Sequence, residues 1–125
     1  MDKFSRFARI AETEFQDIVI SSHDLGAKLR IYLTDKSFID FFISSQSMLK
    51  RFSIHWERTH IDNTIYRLDN TPDKNWENVK SYPLHFHFKN YENVKVPVFD
   101  INNKPLTDIY RAFLKFVRSA LSKKT

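Results

Sequence analysis

The chain of 125 residues is 42% hydrophobic and 15% aromatic and carries a net charge of +5, which predicts one globular domain over residues 1–125 and excludes a disordered chain. It has no cysteine and one glycine, Gly26, which excludes disulfides, thiolate chemistry and glycine-rich phosphate loops. No apolar run has the length of a membrane span, so we expect a soluble, cytoplasmic protein.

The first residues of the chain show the periodicity of a helix, and the segments after them show the alternation of strands. Phe4, Phe7, Ala11 and Phe15 recur at helical spacing, which predicts a short amphipathic helix over residues 3–14. Apolar and polar residues then alternate, with a turn at Asp35-Lys36 between two of the segments. This pattern predicts strands over residues 14–22, 27–34, 38–43, 51–58, 64–69 and 84–88.

The remaining segments complete the expected fold. Residues 70–83 are predicted as a long loop or a short helix, and residues 89–104 as loop. Pro105 suits the start of a final helix, because its missing N–H is harmless there. The order predicts an α+β fold: an antiparallel meander of about five to six strands, with a short N-terminal helix and a longer C-terminal helix packed on one face.

Alternation also predicts which side chains share the face that the helices leave open. If the large apolar residues of each strand point inward, the polar residues between them point outward together. The face then collects Arg30, Tyr32, His55, Glu57, Arg67, Asp69, His85 and His87.

This set of side chains fits metal-free cleavage of RNA. Imidazole and carboxylate groups transfer protons near neutral pH, and guanidinium groups hold phosphate. The candidate catalytic residues are His55, Glu57, Arg67, His85 and His87. Arg30 and Lys74 are candidate phosphate-binding residues, and this chemistry needs no cofactor.

Two other interpretations of the same residues stay open. His85-x-His87 places two imidazoles on one face of a strand, roughly 7 Å apart at Cα, so that His55 or Glu57 could complete a metal site with an open position. The polar face could equally carry ordinary cross-strand pairs, such as Glu57 with Arg67 and a histidine with Asp69. For Asp69 and Asn70, which come before Pro72 in the sequence, a structural corner is the default expectation.

The basic excess of the chain lies at its C-terminal end. Residues 104–125 hold six basic residues and one acidic residue, and the rest of the chain is neutral. Arg111, Lys115 and Arg118 recur at helical spacing on one stripe of the final helix. The stripe suits a phosphate backbone or an acidic protein partner, or it is simply a solvated helix surface.

A family resemblance rests on three blocks of the sequence: His55-Trp56-Glu57-Arg58, Tyr66-Arg67-x-Asp69-Asn70-x-Pro72, and Pro83-x-His85-x-His87. Together they resemble the TumE-type toxin family of prokaryotic toxin–antitoxin modules, over roughly residues 27–122. The chain departs from the family pattern at Leu68 and Asp73, near which members often carry histidine.

The resemblance implies a growth-inhibiting toxin paired with a small DNA-binding antitoxin encoded beside it. With the polar face, it leads us to expect a toxin that cleaves RNA without metal. The alternatives are a non-catalytic module that binds nucleic acid or the antitoxin, and a metal-dependent hydrolase that uses the His-x-His pair. Exposed aromatic residues also allow a homodimer.

Overall fold

A computed structural model describes residues 3–44, 51–101 and 103–123. The helices are α1 Ser5–Glu14, α2 Thr59–Asp62 and α3 Leu106–Lys123, and a single 3₁₀ turn covers Lys74–Trp76. The strands are β1 Val19–Asp24, β2 Leu29–Leu33, β3 Phe38–Ile43, β4 Phe52–Arg58, β5 Thr64–Asp69, β6 His85–Lys89 and β7 Val94–Lys95. Of the six basic residues in the C-terminal segment 104–125, Lys124 lies outside the described residues.

The strands form one seven-stranded sheet in the order of the sequence, with antiparallel neighbours throughout. The predicted α+β meander with two packed helices is therefore confirmed, with a longer sheet than expected. Strand β7 falls within residues 89–104, which were predicted as loop. It has two residues, too few for alternation to reveal it.

The first strand begins later than predicted. Residues 14–22 were expected to be β-like, but the chain makes a turn after α1, where the carbonyl of Phe15 accepts hydrogen bonds from the N–H groups of Ile18 and Val19. Phe15 and Ile18 are buried by this turn and belong to the core. Their apolar character therefore reflects packing, and pairing begins at Val19.

One face of the sheet is the core, and the helices cover it. Helix α1 packs over β3, where the Phe7 and Phe41 rings are 4.7 Å apart. Helix α3 packs over the middle of the sheet, and Phe116 contacts the rings of Tyr66 and Phe86, both at 5.5 Å. The Tyr110 hydroxyl of α3 donates to the carbonyl of Phe7 over 2.9 Å, so the two helices are joined over the core.

Within the described ranges of the chain, none of the helices is both long enough and apolar enough to cross a lipid bilayer.

Candidate active site

The strand register aligns charged and imidazole side chains in a row on the face away from the helices. Arg30 lies opposite Asp40, and Asp40 lies opposite His55. His55 lies opposite Arg67, which in turn lies opposite His87. Because directly opposed residues point to the same side of a sheet, the row runs across β2 to β6.

Two neighbouring rows extend this polar face. Asp69 lies opposite His85, and Glu57 lies opposite Phe38, which pairs with Tyr32. All eight side chains that alternation placed on the open face therefore share it. The expected Glu57–Arg67 pair is wrong, however, because the register sets Glu57 opposite Ile65. Glu57 binds His55 and Thr59 instead.

The polar face narrows to a pocket at β5 and β6, which we call the imidazole pocket, with a volume of about 300 Å³. The loop after β5, the 3₁₀ turn and the loop after β6 form its walls. It is lined by Arg67, Asp69, Thr71, Pro72, Asp73, Trp76, His85, His87 and Tyr91. Two histidines and an arginine of the candidate site thus face one small space.

Backbone carbonyls determine which ring nitrogen carries the hydrogen in each of the two pocket histidines. The Nδ1 of His85 is 2.9 Å from the carbonyl oxygen of Pro83, and the Nδ1 of His87 is 2.9 Å from that of Tyr91. A carbonyl only accepts, so each Nδ1 must carry the hydrogen. In the neutral ring Nε2 then holds the lone pair and is the nitrogen that can exchange a proton with a bound molecule.

The two imidazoles also interact with each other and with neighbouring aromatic rings. Their centroids are 5.0 Å apart in an edge-to-face arrangement. The Trp76 ring meets His87 edge-on at 5.9 Å, and Tyr91 approaches it at 5.7 Å. Only 3% of His85 and 6% of His87 is exposed, so these contacts hold both rings in place.

His55 has a different environment, behind the imidazole pocket. Its Nε2 donates to the Glu57 carboxylate over 3.0 Å, and Glu57 in turn accepts from the N–H of Thr59. The lone pair therefore lies on Nδ1, which is buried and has no hydrogen-bond partner within the described part of the chain. The Tyr91 ring stacks over His55 with a centroid separation of 6.0 Å.

Burial keeps His55 and His87 neutral over a wider pH range than free histidine. Burial lowers the pKa of His55; the hydrogen bond to Glu57 opposes this and the charge of Arg67 adds to it. Burial also lowers the pKa of His87, where the Tyr91 carbonyl opposes the shift and positive charge on His85 and Arg67 adds to it. Of the two, His87 lines the imidazole pocket, so it is the neutral ring that can accept a proton from a bound molecule.

The carboxylate of the pair with His55 stays ionised. Burial alone would raise the pKa of Glu57, but the hydrogen bonds from Thr59 and His55 outweigh burial and lower it. Glu57 therefore holds the His55 ring in one tautomer and one orientation.

Arg67 lines the imidazole pocket and lies opposite His87 in the sheet. Its Nε donates to the Asp69 carboxylate over 3.3 Å, a long single contact. The other Asp69 oxygen accepts the N–H of Thr71, and the Asn70 side chain accepts the N–H of Phe52. The expected corner at Asp69 and Asn70 therefore exists, and it sets the wall of the pocket at the end of β5.

The block His55-Trp56-Glu57-Arg58 divides between the two faces of β4. Trp56 is fully buried in the core and donates its indole N–H to Ser37 over 2.9 Å. Arg58 is also buried, bonded to Asp35 and to Asp62 and lying over the Trp56 ring at 4.8 Å. Half of the block is therefore structural, and His55 and Glu57 alone belong to the candidate site.

The predicted phosphate-binding residues do not gather at the pocket. Arg30 makes two hydrogen bonds to Asp40, at 2.8 and 2.9 Å, and is two strands away from His55. Lys74 is exposed on the 3₁₀ turn and does not line the imidazole pocket. Arg67 is therefore the arginine that the fold places there.

The basic stripe of α3 lies on the other side of the sheet. Arg111 makes two hydrogen bonds of 2.9 Å to the Glu14 carboxylate. Arg118 binds the carbonyl of Glu14 and the carboxylate of Asp17, at 2.8 and 3.0 Å. These two arginines join α3 to the end of α1, while Lys115 is exposed.

The alternative metal site is not supported by the geometry. Within residues 3–44, 51–101 and 103–123, no three His, Asp or Glu side chains are grouped as metal ligands would be. His85 and His87 are close, but the two candidates for the third ligand, His55 and Glu57, bind each other and do not line the imidazole pocket. The three imidazoles therefore do not form a ligand set in this arrangement.

Sequence reasoning missed two neighbours of the histidines. Tyr91 lies in a segment without periodicity, and only the return of the chain between β6 and β7 brings its carbonyl to His87 and its ring to His55. Asp40 lies in the run Phe38–Ile43, which is apolar on both faces apart from this one residue. A single carboxylate in an otherwise apolar strand was the feature of the sequence that could have indicated Asp40 as part of the polar face.

A comparison with protein-family models identifies the family of the chain. The model of the toxin TumE family matches residues 2–121, nearly the whole chain. Comparisons with curated proteins and with solved structures gave no match. The molecule is thus a toxin of the kind that acts in toxin–antitoxin modules. The chain belongs to the TumE toxin family, and membership implies an antitoxin as its partner.

Proposed function

We propose that the chain exerts its toxic effect by cleaving RNA at the imidazole pocket without a metal ion. The observation that carries the proposal is the pair His85 and His87. Each ring has Nδ1 held by a backbone carbonyl and Nε2 available, at a centroid separation of 5.0 Å and beside Arg67. One imidazole to remove a proton and one to supply it is the minimum set for this reaction.

The proposed reaction assigns one role to each residue. His87, kept neutral by its lowered pKa, accepts the proton of the ribose 2′-hydroxyl through Nε2. The 2′-oxygen attacks the adjacent phosphorus, and the bond from phosphorus to the 5′-oxygen breaks. Protonated His85 donates its Nε2 proton to the departing 5′-oxygen. The products are a 2′,3′-cyclic phosphate and a 5′-hydroxyl, so atoms and charge balance.

Arg67 and the His55–Glu57 pair support this chemistry. Arg67 exchanges its long contact with Asp69 for a phosphate oxygen and stabilises the negative charge that develops in the transition state. His55 lies under Tyr91 outside the pocket lining. We therefore assign His55 and Glu57 to positioning Arg67 and Tyr91.

A labelled RNA oligonucleotide with excess chelator tests the proposal. We expect cleavage to a 2′,3′-cyclic phosphate, and no cleavage when 2′-deoxyribose replaces ribose at the scissile position. His85→Ala and His87→Ala should each lower the rate about 10²–10⁴-fold. His60→Ala is the matched control, because His60 is exposed on α2 and bonded to the carbonyl of Lys36. Equal rates in all three variants would contradict the assignment.

A different outcome would favour the binding module. If RNA binds the chain with an affinity that falls with salt but is never cleaved, the pocket holds phosphate without catalysis. Loss of that binding in Arg67→Ala would locate it at the same pocket.

A further inference from the structure

Helix α3 has a surface that neither α1 nor the sheet covers. Two cavities adjoin along it, with volumes of about 500 and 340 Å³. Phe116 and Ser119 line both of them, so the cavities form one continuous depression. We call it the α3 groove.

The floor of the α3 groove is apolar. Ala112 and Phe116 come from α3 and are half-buried, and the Phe88 ring of β6 closes the far end. Val98 on the groove wall is 52% exposed. Clustered apolar groups left in water at a groove are typical of a surface that another molecule covers.

Lysines flank this apolar floor. Lys104 and Lys115 line one end of the α3 groove, and Lys123 lines the other. Arg111 lies in the same wall, but its charge is already balanced by the Glu14 carboxylate. The groove therefore offers apolar contact in the middle and positive charge at both ends.

We propose that the α3 groove docks the antitoxin through a segment that combines acidic and apolar side chains. An apolar centre with a polar rim is the usual composition of a protein–protein interface. A nucleic acid fits less well, because phosphates need charged or polar partners, whereas Ala112, Phe116 and Phe88 make the middle of the groove apolar. The lysines complement carboxylates of the partner and steer its approach.

This docking site is separate from the imidazole pocket. Phe116 packs on the core rings Tyr66 and Phe86, whereas Arg67 and His87 point from the same strands to the opposite face. A segment in the α3 groove would leave the imidazole pocket open. The docking proposal therefore requires only the antitoxin partner that family membership implies, and it does not depend on RNA cleavage.

Calorimetric titration of the purified chain with the antitoxin encoded beside it tests the docking site. Ser119→Arg fills the groove where the two cavities meet, and we expect it to weaken the affinity at least about tenfold. Lys115→Glu should weaken the affinity by a similar factor and reduce its dependence on salt. The matched control is Ser122→Arg, one turn further along α3 on the side of Asp17 and Thr34, which should stay within about twofold.

Hydrogen exchange of the complex locates the interface independently. Protection of the amides of residues 112–123 on antitoxin binding supports the proposal, and thermal melts of the variants show that they remain folded. Unchanged affinity in both Ser119→Arg and Lys115→Glu would overturn it, as would protection limited to β5 and β6. An RNA oligonucleotide that displaces the antitoxin and loses affinity in Lys115→Glu would assign the groove to nucleic acid instead.

Discussion

The two faces of the sheet are built from the same strands yet use their side chains in different ways. On the covered face, Trp56 and Tyr66 stack at 5.0 Å and Phe116 of α3 lies against both rings. On the open face, the residues that alternate with them are His55 and Arg67. The covered face consists of apolar rings held by shape, and the open face consists of polar groups held by directed hydrogen bonds.

The difference shows how a small chain can rigidify a polar site. His85 and His87 are almost as buried as the core residues, at 3% and 6% exposed, although they lie on the open face. Loop carbonyls and the aromatic ring of Trp76 contact them there, on the face away from α1 and α3. Stability should therefore depend mainly on the covered face, and activity on the open one.

The largest expected effect tests the covered face. Trp56→Ala removes a fully buried side chain and leaves a cavity, which should lower the free energy of unfolding by about 3–5 kcal/mol. Glu57→Gln, at the next residue of β4 but on the open face, should change it by less than about 1 kcal/mol. Urea titrations of both variants measure the contrast. Equal losses would mean that the open face also carries the fold.

A smaller effect tests the charge at the imidazole pocket. Arg67→Ala removes the arginine beside His85 and His87, and we expect the rate of RNA cleavage to fall about 10²–10³-fold, as for loss of one transition-state donor. Single-turnover kinetics with saturating enzyme separate this loss from weaker binding. Arg30→Ala is the control, because Arg30 is two strands from His55 and bonded to Asp40. A larger loss in Arg30→Ala would move the phosphate site toward β2.

A still smaller effect tests positioning by the His55–Glu57 pair. Glu57→Gln keeps the shape of the side chain but removes the charge that holds His55 Nε2–H. Loss of a partner that only orients a functional group costs about 10–100-fold. A purely structural role would leave the pH dependence of the rate unchanged. We expect Glu57→Gln to shift that dependence, which a rate profile across pH measures.

The smallest effect concerns stability against pH. The pKa values of His55 and His87 are lowered in the folded chain, so the unfolded chain binds more protons once the pH falls toward the ordinary value of 6.5. The free energy of unfolding should therefore decrease between about pH 8 and pH 5. The double variant His55→Gln, His87→Gln should flatten this slope in denaturant titrations. A wild-type chain whose free energy of unfolding increases toward pH 5 would contradict the lowered pKa values of His55 and His87.

The alternation of apolar and polar residues along the strands predicted most of the sheet and most of the side chains on its open face. Side chains alternate with a period of two whatever the partner strand is, so the pattern of 51–58 and 64–69 assigned His55, Glu57 and Arg67 to one face. The C-terminal helix followed from Pro105 and the apolar stripe behind it. The family resemblance was likewise a property of the sequence, and the family comparison confirms it.

Only the tertiary structure decided which of these residues meet. Register depends on turns and bulges that local patterns do not encode, and it placed Glu57 opposite Ile65, away from Arg67. The tautomers of His85 and His87 depend on carbonyls of Pro83 and Tyr91. The paths of the loops bring these carbonyls to the imidazole rings. A hydrogen bond requires a specific atom at a specific distance. Alternation along a strand specifies only the face of the sheet to which a side chain points.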